Sequence, residues 1–73
     1  MTNVKTSIRI NVNGKPWVCF SNTTLNELIN NLRLDKSLIA IERNKKVVSP
    51  SLWSKTYLDN DDTIEIIAIV GGG

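Results

Sequence analysis

The sequence predicts an α+β fold, with one main helix packed on one face of a mixed four- to five-stranded sheet. Three observations carry that reading. Apolar residues alternate with polar ones at Ile8, Ile10 and Val12, and again from Ile64 onward, which is the period of a half-buried strand. Asn13-Gly14 directly follows the first such run, a short hairpin signal. Only one segment has helical periodicity: Leu25, Leu28, Ile29 and Leu32 recur at i, i+3, i+4 and i+7.

The elements follow in order. Residues 7–12 (SIRINV) form the first strand and WVCF (17–20) its return. A two-residue loop pairs Val12 with Lys15 and Ile10 with Trp17; a four-residue loop, 13–16, pairs Val12 with Trp17 and Ile10 with Cys19. Directly opposed residues share a face, so either register sets Trp17 and Cys19 beside the apolar positions of the first strand. Thr24 and Glu27 have capping-box spacing, in which the hydroxyl and the carboxylate each satisfy an orphan N–H at a helix start. LIAIER (38–43) is the third strand, Asn44-Lys45 a turn, and residues 46–48 a short fourth strand. SPSLWSKTYLDNDD is a long crossing in which Pro50 acts as a breaker and Leu52, Trp53, Tyr57 and Leu58 pin the chain to the core. TIEIIAIV (63–70) is the last and most apolar strand. A strand this apolar needs neighbours on both sides, so it belongs in the centre, parallel to the first. That order is a β-grasp: a single domain over residues 1–70, with a flexible reactive glycine tail over 71–73.

Composition excludes more than it suggests. The chain has 73 residues, one cysteine, no histidine and a net charge of +2. A core this small is marginal, since a short domain buries only about 60% of its unfolded surface. There is no second cysteine for an internal disulfide and no Cys/His zinc set. Without imidazole there is no Ser-His or Cys-His nucleophile pair. The seven acidic residues include Asp59, Asp61 and Asp62 in one turn, with Glu42 and Glu65 in strands, which argues against a self-contained enzyme. Lys45-Lys46 is the only adjacent basic pair, so no nucleic-acid face is expected. No apolar run approaches the roughly 20 residues of a membrane span, and the polar start MTNVKTS lacks a signal-peptide core. Cys19 is read as a small core residue and not a reactive thiol.

The last strand runs into Gly71, Gly72 and Gly73. Glycine has no Cβ and adopts whatever dihedrals a narrow passage requires. The Gly73 carboxylate would therefore end a thin stalk able to thread into another protein's active site. A carboxylate is a poor electrophile until it is converted to an acyl phosphate or adenylate, so such a stalk suits activation by a partner.

The β-grasp order, IAIERN (39–44), SLW (51–53), IEI (64–66) and the closing VGGG (70–73) together resemble the ThiS family over residues 8–73. These are ubiquitin-like sulfur carriers of bacterial and plastid thiamine thiazole synthesis. The resemblance implies that an E1-like adenylyltransferase activates Gly73 with MgATP and that no cofactor is bound by the chain itself. It implies a sulfur donor, a cysteine desulfurase or a rhodanese-type persulfide, and delivery of the thiocarboxylate sulfur to thiazole synthase. The implied carrier is a monomer when free, in bacterial cytosol or plastid stroma, and not an enzyme. The alternatives are the small subunit of molybdopterin synthase, a ubiquitin-like protein modifier, and an interaction module with an idle tail. The chain departs from the family's usual pattern at Asn44-Lys45, where Asn-Gly is common, and at Asn60-Asp61-Asp62, where Asp-Gly-Asp is common. Pro50 falls one position later than usual, and residues 1–6 extend the usual start.

Alternation also predicts a docking surface. It sets Ile64, Ile66, Ala68 and Val70 on the inner face of the last strand and Thr63, Glu65, Ile67 and Ile69 on the outer. Hairpin parity sends Val18 and Phe20 outward as well, with Arg9 between. Val18, Phe20, Ile67 and Ile69 are thus expected to form one exposed apolar patch at the root of the tail.

Overall fold

The computed structural model describes residues 6–69. Strands β1 (Ser7–Val12) and β2 (Lys15–Phe20) precede helix α1 (Leu25–Asn31). Strands β3 (Ile39–Arg43), β4 (Lys46–Val48) and β5 (Thr63–Ala68) complete a five-stranded sheet of order β2-β1-β5-β3-β4. β5 is parallel to β1 and antiparallel to β3, so the most apolar strand lies at the centre.

Local chemistry explains the turns. Val12 pairs with Lys15, which selects the two-residue loop. Asn13 and Gly14 have φ of 52° and 80°, the paired positive values of a type I′ turn. Asn44 and Lys45 repeat that geometry at 53° and 71° without a glycine. Helix α1 starts on the expected capping box: Thr24 Oγ1 accepts from Glu27 N–H at 3.1 Å, and Glu27 Oε1 accepts from Thr24 N–H at 3.0 Å. It ends in a Schellman arrangement. Arg33, at φ 58°, donates its N–H to Asn30 O, and Leu34 N–H reaches Ile29 O.

The helix presses fully buried Leu25, Leu28 and Ile29 onto the inner sheet face, where they meet Ile10, Ile41 and Ile64. Leu32 is half-buried at the rim of this core. The long crossing differs from expectation. Pro50 opens a 3₁₀ helix, Pro50–Lys55, because its missing N–H is no loss at a first helical position. Trp53 and Leu58 are buried, and Trp53 Nε1 donates to Val48 O at 2.9 Å. Leu52 and Tyr57 are exposed: on either side of Tyr57 the backbone itself holds the crossing, through Leu25 N–H to Thr56 O and Leu58 N–H to Thr23 O, and Leu52 N–H bonds within the 3₁₀ helix to Ser49 O.

β5 also stops earlier than expected, at Ala68, and Ala68 is exposed although its parity is that of the inner face. β1 ends at Val12, which is level with Ile64, so β1 does not flank the last residues of β5.

Candidate functional site

The glycines 71–73 and Val70 lie outside the described residues. The site can be built up to Ile69, whose N–H donates to Leu38 O at 2.9 Å. The chain is therefore held against β3 to the last described position.

Parity places Val18, Phe20, Ile67 and Ile69 on the outer face, and all four are exposed. Register divides them. Val18 is opposite Arg9, and Asn11 is level with Thr63. Two positions separate Arg9 from Asn11, and four more separate Thr63 from Ile67. At about 3.3 Å per residue those six positions are roughly 20 Å along the sheet, so the four residues do not form one contiguous patch. Phe20 lies farther still, opposite Ser7.

The residues beside Ile67 and Ile69 lie on β3 and just before it, with Val47 one strand farther out. Ile67 is opposite Ala40, and Ile69 is bonded to Leu38, which is exposed. Val47, 73% exposed, faces Glu42, and Glu42 is itself paired with Glu65. Sequence reasoning missed Leu38 and Val47. The signal was present, since inward Ile39 and Ile41 turn Leu38, Ala40 and Glu42 outward.

The acidic turn is structural. Arg43 Nε donates to Asp62 Oδ2 at 2.9 Å and Arg43 Nη2 to Asp59 Oδ2 at 2.8 Å. Asn44 Nδ2 donates to Asp62 Oδ1 and Asp59 N–H to Asp62 Oδ2. Burial alone would raise the Asp62 carboxyl. The Asp59 N–H, the Asn44 amide, and the bond and charge of Arg43 outweigh it and hold the group below the usual carboxylate value. A carboxylate with its lone pairs so occupied is an anchor, not a base. Asp61 itself has φ 70° and donates its N–H to Arg9 O.

Cys19 is half-buried against the core. Burial pushes its thiol up, and a hydrogen bond with Thr23 only partly offsets this, the opposite of what a nucleophilic thiolate needs. Among the described residues no group of three or more acidic or cysteine side chains is placed to hold a metal ion. No helix among them is long and apolar enough to cross a membrane.

Comparison with known proteins gives a consistent set of likenesses. The model of the ThiS family matches residues 8–73. A protein of Porphyra purpurea described as uncharacterized protein ycf40 is 39% identical over 70 residues, 96% of this chain and 99% of that one. A thiazole synthase of Magnetococcus marinus is 38% identical over 66 residues, which are 90% of this chain but only 20% of that protein. The sulfur carrier protein ThiS of Bacillus subtilis is 31% identical over 65 residues, 88% of this chain and 98% of the carrier. Among solved structures, the thiamine biosynthesis protein ThiS of Geobacter metallireducens superposes with a TM-score of 0.78 at 25% identity. That match covers 90% of this chain and all of the other.

Proposed function

This chain belongs to the ThiS family, and from that premise we propose that it is a sulfur carrier of thiamine thiazole synthesis whose Gly73 carboxylate is the reacting group. The observation that carries the reading is the family match itself, which runs through the core and on through Gly71, Gly72 and Gly73.

The chemistry follows from what a carboxylate lacks. One Gly73 oxygen attacks the α-phosphorus of MgATP in an E1-like adenylyltransferase, and pyrophosphate leaves. The terminal sulfur of a protein persulfide then attacks the acyl carbon and expels AMP. A thiol of the donor system cleaves the resulting acyl disulfide, which leaves a thiocarboxylate on Gly73 and a disulfide on the donor. Thiazole synthase takes that sulfur. The Magnetococcus thiazole synthase supports this partner, because it contains a stretch similar to this chain. In this scheme the chain is substrate and carrier; ATP, metal and persulfide belong to its partners. It works where they are, in bacterial cytosol or plastid stroma.

The exposed face around Ile67 and Ile69 would hold the tail in register with each partner. Val18 and Phe20 would make a separate contact for a partner broad enough to reach them. Intact mass of the chain purified from its own cells tests the proposal. A species with one oxygen replaced by sulfur, located to Gly73 by fragmentation, is expected. A chain that remains a carboxylate when purified with its activating enzyme, ATP and sulfide would overturn it.

A further inference from the structure

Strand β5 is paired along its whole length on one side and only at its start on the other. Toward β3 the ladder runs from Arg43 opposite Ile64 to Ile39 opposite Ala68. The bonds from Asn44 N–H to Thr63 O and from Ile69 N–H to Leu38 O set its phase. Residues 63, 65, 67 and 69 turn their backbone groups to β3, so Ile64, Ile66 and Ala68 turn theirs to the β1 side. There Ile64 O accepts from Asn13 N–H at 2.9 Å, and Ile66 N–H donates to Asn13 Oδ1 at 2.7 Å. The Asn13 side chain thus caps the point at which β1 gives out. Among the described residues, no hydrogen bond reaches Ile66 C=O, Ala68 N–H or Ala68 C=O.

We propose that an extended segment of thiazole synthase adds to the sheet at this open edge, bonding Ala68 N–H and the carbonyls of Ile66 and Ala68. The inference rests on the sulfur-carrier reading. A row of unpaired backbone groups is complemented by another extended backbone, the basis of strand addition. The flanks define that segment further. Half-buried Ile66 and small Ala68 lie on its inner side, exposed Ile67 and Ile69 on its outer side, so apolar side chains fit both faces.

The other edges are poorly suited to the same use. β2 carries Pro16 opposite Asn11 in the non-hydrogen-bonded phase, so its missing N–H faces outward, and β4 has only three residues. Proline and short length are devices that blunt an edge; the end of β5 has neither. It also leads directly into the tail, so pairing there would aim the glycines. The Magnetococcus relative supports the choice of partner, since a stretch similar to this chain and a thiazole synthase occur in one polypeptide.

The test is residue-resolved amide exchange of the full chain, alone and with thiazole synthase from the same organism. In the free chain Ala68 should exchange freely while Ile67 and Ile69 are protected. In the complex Ala68 should slow at least tenfold. A synthetic chain with an ester in place of the Ala68 amide removes no donor from the β3 ladder and weakens only the Ile67 carbonyl as an acceptor there; it should bind thiazole synthase several-fold more weakly, with only a small fall in Tm. If the complex forms and Ala68 still exchanges freely, the inference is overturned and the sulfur-carrier reading stands. Absence of binding overturns it as well, and the mass measurement then decides the carrier reading separately. Protection that develops in the chain alone as its concentration rises would identify a second copy as the occupant, which also overturns it.

Discussion

The two ends of β5 are built on opposite principles. At its start Ile64 is fully buried, with β1 on one side and β3 on the other. The turn before it is tied down by Arg43, Asn44 and Asp62 through bonds of 2.8–3.0 Å. At its end Ile67, Ala68 and Ile69 are exposed, and the backbone is bonded toward β3 alone, through Ile67 and Ile69. Both ends are apolar, so hydropathy does not separate them. What differs is how many neighbours surround each residue. A chain this small concentrates its stabilising contacts at one end of its central strand and leaves the other end open.

The sharpest way to break that comparison is to truncate the same side chain at both ends. Ile64→Ala should destabilise the protein by about 3 kcal/mol, since deleting a buried isoleucine leaves a cavity that the surroundings only partly fill. Ile67→Ala should change stability by less than about 0.5 kcal/mol, as exposed substitutions do. Urea unfolding of both variants checks the pair. Equal losses would mean that the end of β5 is also core.

Asp62 is the next largest effect. Its Ala variant should cost about 2 kcal/mol, because Arg43 Nε, Asn44 Nδ2 and Asp59 N–H all lose their acceptor. The pH dependence has a definite sign. The folded carboxyl titrates below its unfolded value, so its contribution is fully present above that value, about 3.9. The contribution is lost as pH falls through the depressed folded pKa. Tm measured against pH should therefore drop less on the acid side for Asp62→Ala than for the parent. Parallel acid limbs would show that Asp62 does not carry the acid sensitivity.

At the open end the readout moves from stability to partners. Ile67→Asp should raise the KM for activation by the adenylyltransferase several-fold, equivalent to about 1 kcal/mol, with Tm nearly unchanged. Val18→Asp, some six positions away along the sheet, should have a smaller effect. Equal effects from the two would restore a single broad docking surface. An unfolded Ile67→Asp variant would show that the outer face is covered.

Legibility in the sequence divides along physical lines. Features set by neighbours in the chain could be read directly. Asn13-Gly14 specifies a type I′ turn, Thr24 and Glu27 specify a capping box, and alternation turns Ile67 outward. The fold class followed because these local choices agree. Register between β1 and β5 could not be read, since parallel strands fifty residues apart leave no local signal of how far one slides past the other. That slide set Val18 far from Ile67 and left Ala68 without a neighbour on the β1 side. Leu52 and Tyr57 were misplaced for a related reason. Their apolar character suggests burial, but the 3₁₀ turn that begins at Pro50 aims Trp53 inward and leaves Leu52 out. Gly73 as the proposed reacting group came from the closing glycine run and from the family resemblance, and not from the geometry of the described residues.

The smallest predicted effect asks whether the well-wrapped end is also free of strain. Its turns hold non-glycine residues with positive φ, among them Lys45 at 71° and Asp61 at 70°. A left-handed conformation costs most L-residues roughly 1–2 kcal/mol, and aspartate, which together with asparagine tolerates that region better than other non-glycine residues, less. Replacement by glycine removes that strain but adds freedom to the unfolded chain, a loss of about 0.5–1 kcal/mol. Lysine has no such tolerance. Lys45→Gly should therefore stabilise by about 0.5–1 kcal/mol, and Asp61→Gly by less. Neither side chain supplies a hydrogen bond that holds the turn; those come from Asn44, Asp59, Asn60 and Asp62. Tm values for both variants and the parent, taken in one buffer, settle the order. A larger gain at Asp61 would mean that repulsion from neighbouring Asp59 and Asp62, and not backbone strain, is what this turn tolerates.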